Sequence, residues 1–291
     1  MKPASFEYHR PDSVDDAARM LAEFGDEAKV LGGGQSLVPM LALRLAFFDH
    51  LIDVSRLAEL KGIERDNGWV RIGAGTTDAT VGADEQVAAE VPLLTRVTPF
   101  IGHFQIRSRG TLGGSIAHAD PAAEYPAVAL ALDAQMEAVS PSGRRSIAAA
   151  DFFTGLWETT LAADEVLADV RFPVWAGRCG FGVQEFARRH GDFAIAGAVV
   201  AVELDAEDRV SRCGIGLMGL GSTPRRGAAA EAAVVGQRAA EVTPEEIGAL
   251  AMTGLDDIPA DLQGSAGYRT RVGAAMVARA WAAATTEASN A

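Results

Sequence analysis

Apolar and polar positions divide the chain into short segments of changing period. Val14, Ala17, Ala18, Leu21 and Phe24 recur at helical spacing after Pro11-Asp12-Ser13, which predicts an amphipathic helix capped by Ser13 and ended by Gly25. Residues 28–31 are a short apolar run suited to a buried strand. That run empties into Gly32-Gly33-Gly34, then Gln35-Ser36 and the apolar stretch 37–45, so a strand, a glycine turn and a helix start follow in succession. Residues 50–54 and 69–72 predict further strands, and 73–78 a second small-residue turn with Asp78 as a cap for the segment after it. Residues 92–104 have helical spacing, 109–115 form a third glycine-rich turn, and Asp120-Pro121 starts a predicted helix through Leu132. Strands at 135–139 and 144–147 flank Ser140-Pro141-Ser142-Gly143, a hairpin signature.

Near residue 166 the pattern shifts to strand-like runs at 166–172, 181–187, 195–204 and 210–220. Alanine-rich helices are predicted at about 226–235, 244–252 and 267–284, with a frayed tail after Thr285. A mixed N-terminal domain joined near residue 175 to a C-terminal sheet with helices is the simplest partition. The length of 291 residues agrees, at roughly 150 residues per domain.

Composition narrows the function classes. Twenty-six Lys+Arg against 39 Asp+Glu give a net charge of -13, which argues against a nucleic acid or an anionic membrane surface as partner. Two cysteines, Cys179 and Cys213, cannot supply an iron–sulfur or structural zinc ligand set and read as reduced thiols. The N-terminus contains no apolar signal core, and the longest apolar run, 194–202, is far short of the roughly 20 residues a membrane span needs. A cytoplasmic protein is therefore expected. The histidines (His9, His50, His103, His118, His190) never approach metal-ligand spacing, so no metal site is expected.

The three glycine turns are the most informative feature. Successive backbone N–H groups at a strand–turn–helix junction bind anions, phosphates above all. Bringing 32–36 and 111–115 together would give two amide walls around a diphosphate, with the Ser36 and Thr111 hydroxyls as extra donors. A P-loop, a dinucleotide fingerprint after the first strand and a hydrolase elbow are all absent. After the third turn, His118-Ala119-Asp120-Pro121-Ala122-Ala123-Glu124 places two carboxylates four residues apart. They fit either helix capping and dipole compensation or acceptance of ribose or ribityl hydroxyls. Arg188-Arg189-His190-Gly191-Asp192-Phe193-Ala194 fits either a solvated hairpin with Phe193 in the core or a turn that sets Phe193 against a planar ring.

Taken in order, these motifs resemble the FAD-binding (medium) subunit of the molybdenum hydroxylases, the carbon monoxide dehydrogenase and xanthine dehydrogenase group. The likeness spans nearly the whole chain: Phe6, Tyr8, Arg10, Pro11 and Ser13 at the opening, Gly32-Gly33-Gly34-Gln35-Ser36, Thr111 to Ser115, Asp120-Pro121 with Glu124, Arg189 to Ala194, and Tyr268-Arg269-Thr270. The resemblance implies an α+β fold. Residues 1–175 would be an FAD-binding domain of the vanillyl-alcohol-oxidase (PCMH) type, in two α/β subdomains split near residue 55. Residues 176–291 would be a domain of a three-stranded antiparallel sheet with helices.

Carried over by position, Lys29, Val30, Leu31, Gly32, Gly33, Gly34, Gln35, Ser36 and Leu37 would contact FAD, as would Thr111, Gly113, Gly114 and Ser115. Asp120, Glu124, Asp192 and Phe193 complete the implied set, with Phe193 beside the isoalloxazine. Gly32 replaces the more common alanine, which should loosen the loop slightly, and Phe193 replaces a tyrosine found in some members. The implied role is electron transfer. A small subunit with two [2Fe-2S] clusters would deliver electrons, a molybdopterin-binding large subunit would oxidise the substrate, and quinone, NAD+ or O2 would accept them. A dimer of heterotrimers and no catalytic acid or base in this chain are expected. Two alternatives are a stand-alone FAD oxidoreductase and an assembly subunit that has lost its cofactor.

Overall fold

The computed structural model describes residues 2–291. Strand β1 (Glu7–His9), helix α1 (Val14–Phe24), strand β2 (Ala28–Leu31), helix α2 (Leu37–Leu43) and strand β3 (His50–Asp53) build a three-stranded parallel sheet ordered β1-β3-β2. Ser13 Oγ accepts the Asp16 N–H at 3.0 Å, so the expected cap starts α1. Gly25 ends the helix at φ +56°, a left-handed value that glycine adopts without penalty. The apolar stripe of α1 buries Val14, Ala17, Ala18 and Leu21 against Ile52 of β3 and against Val139, Val166 and Ala168 of the next sheet.

That second sheet has five strands. After β4 (Ile63–Asp66) and β5 (Trp69–Gly73) come six short helices: α3 (Asp78–Ala83), α4 (Glu85–Glu90), α5 (Pro92–Val97), α6 (Phe104–Arg107), α7 (Leu112–His118) and α8 (Glu124–Ala131). Strands β6 (Gln135–Ser140) and β7 (Gly143–Ala148), helix α9 (Ala149–Phe152), a small hairpin of β8 (Phe153–Gly155) and β9 (Glu158–Thr159), and β10 (Val166–Pro173) follow. Pairing is antiparallel in the order β4-β5-β10-β6-β7.

Several local expectations are corrected here. The helix expected over 92–104 breaks after Val97 into a 3-10 turn, Thr98–Phe100, where Pro99 has no N–H to give. The helix expected from Asp120 starts only at Glu124, because Asp120 Oδ1 accepts the Ala122 N–H at 2.9 Å and closes a turn first. Asp78 is not a cap: Thr77 Oγ1 accepts the Thr80 N–H at 3.2 Å, and Asp78 is buried as the first residue of α3. The third glycine turn itself winds into α7.

Three nine-residue antiparallel strands, β11 (Arg178–Phe186), β12 (Ala196–Leu204) and β13 (Val210–Met218), form the last sheet, extended by a two-residue edge strand β14 (Arg225–Arg226). Helices α10 (Ala228–Val234), α11 (Pro244–Ala251) and α12 (Ala266–Asn290) accompany it. The sheet lies between two helices. A methyl on Gly182 would be 2.0 Å from the Ala280 carbonyl oxygen of α12, and one on Gly216 would be 2.0 Å from that of Ala127 in α8. Glycines in these strands thus let helix backbones lie directly on the sheet. The tail expected to fray is instead helical to Asn290. Glu287 pairs with the two terminal guanidinium nitrogens of Arg96 at 2.6 and 2.7 Å and accepts the Phe181 N–H at 3.0 Å, and Ala288 is buried.

Candidate functional site

The parallel sheet directs the ends of β2 and β3 to the same edge, with Leu31 opposite Asp53. Ligand crevices of parallel sheets lie outside such carboxyl ends. Here Gly32 follows β2, and Gly34 turns the chain at φ +73°. Among the described residues, the backbone N–H groups of Gly32, Gly33, Gly34, Gln35, Ser36 and Leu37 have no acceptor within the protein; the next, that of Val38, bonds the Gly34 carbonyl at 3.1 Å. Gln35 folds back and gives its side-chain N–H to the Gly33 carbonyl at 3.0 Å, which removes a competing acceptor from the loop. Six consecutive unpaired donors at one turn make a strong site for an anion.

The third glycine turn is its neighbour but not its equal. A methyl on Gly33 would meet the Arg109 carbonyl oxygen, so the two turns touch through backbone. Thr111 Oγ1, however, accepts the Gly114 N–H at 3.0 Å and caps α7. The N–H groups of Leu112, Gly113 and Ser115 bond the carbonyls of Thr76, Ala74 and Thr111, each at 3.0 Å. The expected second amide wall is therefore committed internally. What 111–115 offers is the Thr111 N–H, the Thr111 and Ser115 hydroxyls and a close-packed floor. Gly32 would accept a methyl in ordinary contact with Thr111 Oγ1 at 3.4 Å, so an alanine fits there.

Between the turns lies a groove of about 310 Å³ lined by the first loop with Asp53, Ser55 and Arg109. Asp53 and Ser55 were missed in the sequence, and Arg109 was read only as the start of the third turn; what brings the first two here is that β3 is parallel to β2 and ends beside it. Burial raises the Asp53 carboxyl, but the Tyr8 hydroxyl, the Ser55 N–H at 2.9 Å and the Arg10 charge outweigh that and hold it below the usual carboxylate range. It is an acceptor at neutral pH.

Lys29 reaches from β2 over the Phe48 ring at 5.8 Å, and desolvation lowers its pKa. Burial lowers the pKa of His118 as well, against the pull of Asp120 and with the Lys29 charge adding to the effect, so its imidazole is neutral at pH 7. His118 stacks on Trp157 at 6.0 Å and 12°. The Trp157 indole N–H donates to Asp120 Oδ2 at 3.2 Å. Lys29, His118, Asp120 and Trp157 thus form one cluster.

Three acids behind the third turn share one environment. Desolvation raises Asp78 to about 7 and Glu185 to about 7, and desolvation together with the Glu185 charge raises Glu124 well above its ordinary range. Gly110 packs against Asp78, where a methyl would come within 2.3 Å of the carboxylate. Near neutral pH Asp78 and Glu185 are therefore only partly ionised, so an acid count overstates the negative charge here.

Asp192 and Phe193 are not brought to the turns by any hydrogen bond or ring contact. Both are exposed, Phe193 to 64%, on a loop whose Gly191 packs against Gly102 and His103. Of the two readings of Phe193, burial in the core is excluded. Arg269 holds the chain beyond that loop: 3% exposed, it donates to the Ile195 carbonyl at 2.6 Å and pairs with Asp261 through two bonds of 2.8 and 2.9 Å.

Comparison with known proteins places the chain among its relatives. Residues 4–175 match the model of the FAD binding domain in molybdopterin dehydrogenase, and residues 182–284 that of the CO dehydrogenase flavoprotein C-terminal domain. The chain is 39% identical over 284 residues to the 6-hydroxypseudooxynicotine dehydrogenase complex subunit alpha of Paenarthrobacter nicotinovorans, covering 98% of this chain and 96% of that one. It is 37% identical over 286 residues to the carbon monoxide dehydrogenase medium chain of Hydrogenophaga pseudoflava, covering 98% of each. A solved carbon monoxide dehydrogenase from Hydrogenophaga pseudoflava, which lacks the Mo-pyranopterin moiety of the molybdenum cofactor, superposes with a TM-score of 0.93 at 39% identity, covering 99% of each chain.

Proposed function

The chain belongs to the FAD-binding flavoprotein subunits of the molybdenum-containing dehydrogenases, and on that premise we propose that it carries electrons from partner [2Fe-2S] clusters through FAD to an external acceptor. Such subunits are parts of oxidoreductases, and FAD is the cofactor of the family. The observation that carries the reading is the run of six unpaired N–H groups from Gly32 to Leu37, packed against the turn at Arg109–Thr111.

These residues fit the cofactor. In this reading the Gly32–Leu37 amides hold the diphosphate, with the Ser36, Thr111 and Ser115 hydroxyls and the Thr111 N–H as further donors. Lys29 and Arg109 supply positive charge beside it, and Asp53 accepts from ribose hydroxyls. Asp120 keeps Trp157 in place over His118, and this reading assigns the pair of rings to the cofactor's surroundings. Burial and the Glu185 charge raise the Glu124 carboxyl well above its ordinary range, so it holds its proton more readily than a free glutamate. Asp192 and Phe193, exposed on the loop after Gly191, are assigned in this reading to the flavin end of the cofactor. When bound, FAD supplies a two-electron store that can be filled one electron at a time. The protein's part is to bind, orient and tune it, and no residue here is assigned as an acid or base.

Residues 1–175, split near 55, form the cofactor-binding unit in this reading, and 176–291 the second domain. A molybdopterin-binding large subunit oxidises the substrate, with carbon monoxide dehydrogenase-like chemistry favoured, and a small subunit holds the two clusters. Quinone, NAD+ or O2 takes the electrons. The assembly is a dimer of heterotrimers in the cytoplasm; no helix among the described residues is long and apolar enough to cross a membrane.

The test is to purify the chain alone and with its partners, then follow flavin absorbance anaerobically as the substrate is added. Bleaching in the complex but not in the isolated chain supports the reading. Bleaching of the isolated chain would make it a stand-alone oxidoreductase, and a colourless, active complex would make it a cofactor-free assembly subunit.

A further inference from the structure

Sheet register brings together two histidines that lie 41 positions apart in sequence. Glu7 and His9 alternate on β1 and so project from one face, and Glu7 lies opposite His50 on β3. His9 Nε2 and His50 Nδ1 are 3.0 Å apart, and Glu7 Oε2 is 3.9 and 3.7 Å from them. A triangle with those sides has its centre about 2.1 Å from all three atoms. Zinc–nitrogen and zinc–oxygen bonds are about 2.0–2.2 Å long. The rings are held in place: Phe24 of α1 stacks on His50 at 4.0 Å and 13°, and lies 4.9 Å from His9.

We propose that Glu7, His9 and His50 bind one first-row divalent transition ion, with Zn2+ as the representative. Two imidazoles and one carboxylate are a donor set that suits such ions better than Mg2+ or Ca2+, which prefer all-oxygen sites. The imidazoles are largely covered, at 21% and 17% exposure, whereas the Glu7 side chain is 74% exposed. The rings are thus preset, Glu7 closes on the ion from the solvent side, and water completes the coordination. Without metal, one of the two facing nitrogens carries the hydrogen of the His9–His50 bond. Binding requires both to offer lone pairs. Each ring can stay neutral by carrying its hydrogen on the opposite nitrogen, so the bound carboxylate and ion leave a net charge of +1.

This site is distinct from the glycine groove. Ala28 of β2 lies opposite His50 and Leu31 opposite Asp53, so the groove starts three residues further along, about 10 Å away at ~3.3 Å per residue. An ion there ties the edge strand β1 to the central strand β3 and stabilises the folded sheet by binding it alone.

The test is calorimetric titration of the untagged, flavin-loaded full chain with ZnCl2, alongside its melting temperature. Expected are one ion per chain, a rise in melting temperature with Zn2+, and a loss of affinity on the order of tenfold or more in His9→Asn. Glu7→Gln, at an exposed position, should weaken binding while leaving the zinc-free melting temperature unchanged. Absence of saturable binding overturns the proposal. So does equal affinity in wild type, His9→Asn and Glu7→Gln, or binding abolished by His103→Asn, which would point to the His103–His190 pair instead.

Discussion

A methyl group on Gly33 would lie 2.0 Å from the carbonyl oxygen of Arg109 and 2.8 Å from the Gly110 Cα. No rotamer change can relieve a clash between two backbones, so the first and third glycine turns meet only because residue 33 has no side chain. The groove exists because of that contact.

At Gly114 the effect of a side chain is different. A Cβ there would come within 2.7 Å of Thr111 Oγ1 and push the hydroxyl off its cap. Gly114→Val should cost about 1 kcal/mol of stability, as capping losses do, and reduce FAD retention in proportion to the disorder of the turn. Thermal melting and flavin content on the same preparation check it; unchanged values for both would remove Thr111 from the account.

Asp78 predicts a pH dependence of stability. An aspartic acid in the unfolded chain loses its proton near about 3.9, whereas burial raises the folded value to about 7. Between those values the folded state holds the extra proton, so stability falls as pH rises through this window and levels off above it. Asp78→Asn carries no such charge and should gain roughly 1–3 kcal/mol relative to wild type on going from pH about 5 to about 8. Denaturant melts of both proteins at the two pH values decide it; a difference that does not change with pH would contradict the buried carboxylate, which the Arg107 charge offsets only in part.

Arg269→Leu should destabilise the protein by about 1–3 kcal/mol, because it leaves the buried Ile195 carbonyl without its donor, while Asp261, half exposed, keeps the Gln263 and Gly264 N–H groups. Phe193 lies two residues before Ile195 on the same loop, so proteolysis there should speed up as well. A variant that melts like wild type would show that Arg269 is not the anchor.

Trp157→Ala should release FAD several-fold faster than wild type, and Trp157→Phe by less. The phenyl ring keeps the stack on His118 and loses only the bond to Asp120. Dilution-driven loss of bound flavin, followed by fluorescence, reads both. Equal rates in all three proteins would place Trp157 outside the site.

Local signals carried much of the fold into the sequence. The Ser13 cap with its helical stripe, the glycine turn after residues 28–31, and the long apolar runs of β12 and β13 all depend on near neighbours, and all are found where the pattern places them. The turn at Gly32–Leu37, whose N–H groups are unpaired, was legible for the same reason. Hidden features depend on pairing across distance. His9 meets His50 only through the parallel register, Asp53 joins the groove only because β3 ends beside β2, and Glu185 reaches Glu124 from another sheet. The commitment of the Gly113 amide was equally invisible, since its acceptor is Ala74 in a different turn; the Thr111 cap on Gly114 is as local as the Ser13 cap, but the expectation of an amide wall passed over it. Arg269 stood out in the sequence only as part of a motif; its work as a buried anchor needs the Ile195 carbonyl from 74 positions away.

The most direct measurement is FAD per folded chain in wild type and in Gly33→Val, with flavin absorbance read against protein concentration and the fold verified by circular dichroism. The account predicts about one FAD per chain in wild type and a folded but nearly colourless Gly33→Val protein. A folded Gly33→Val chain with undiminished flavin would contradict it.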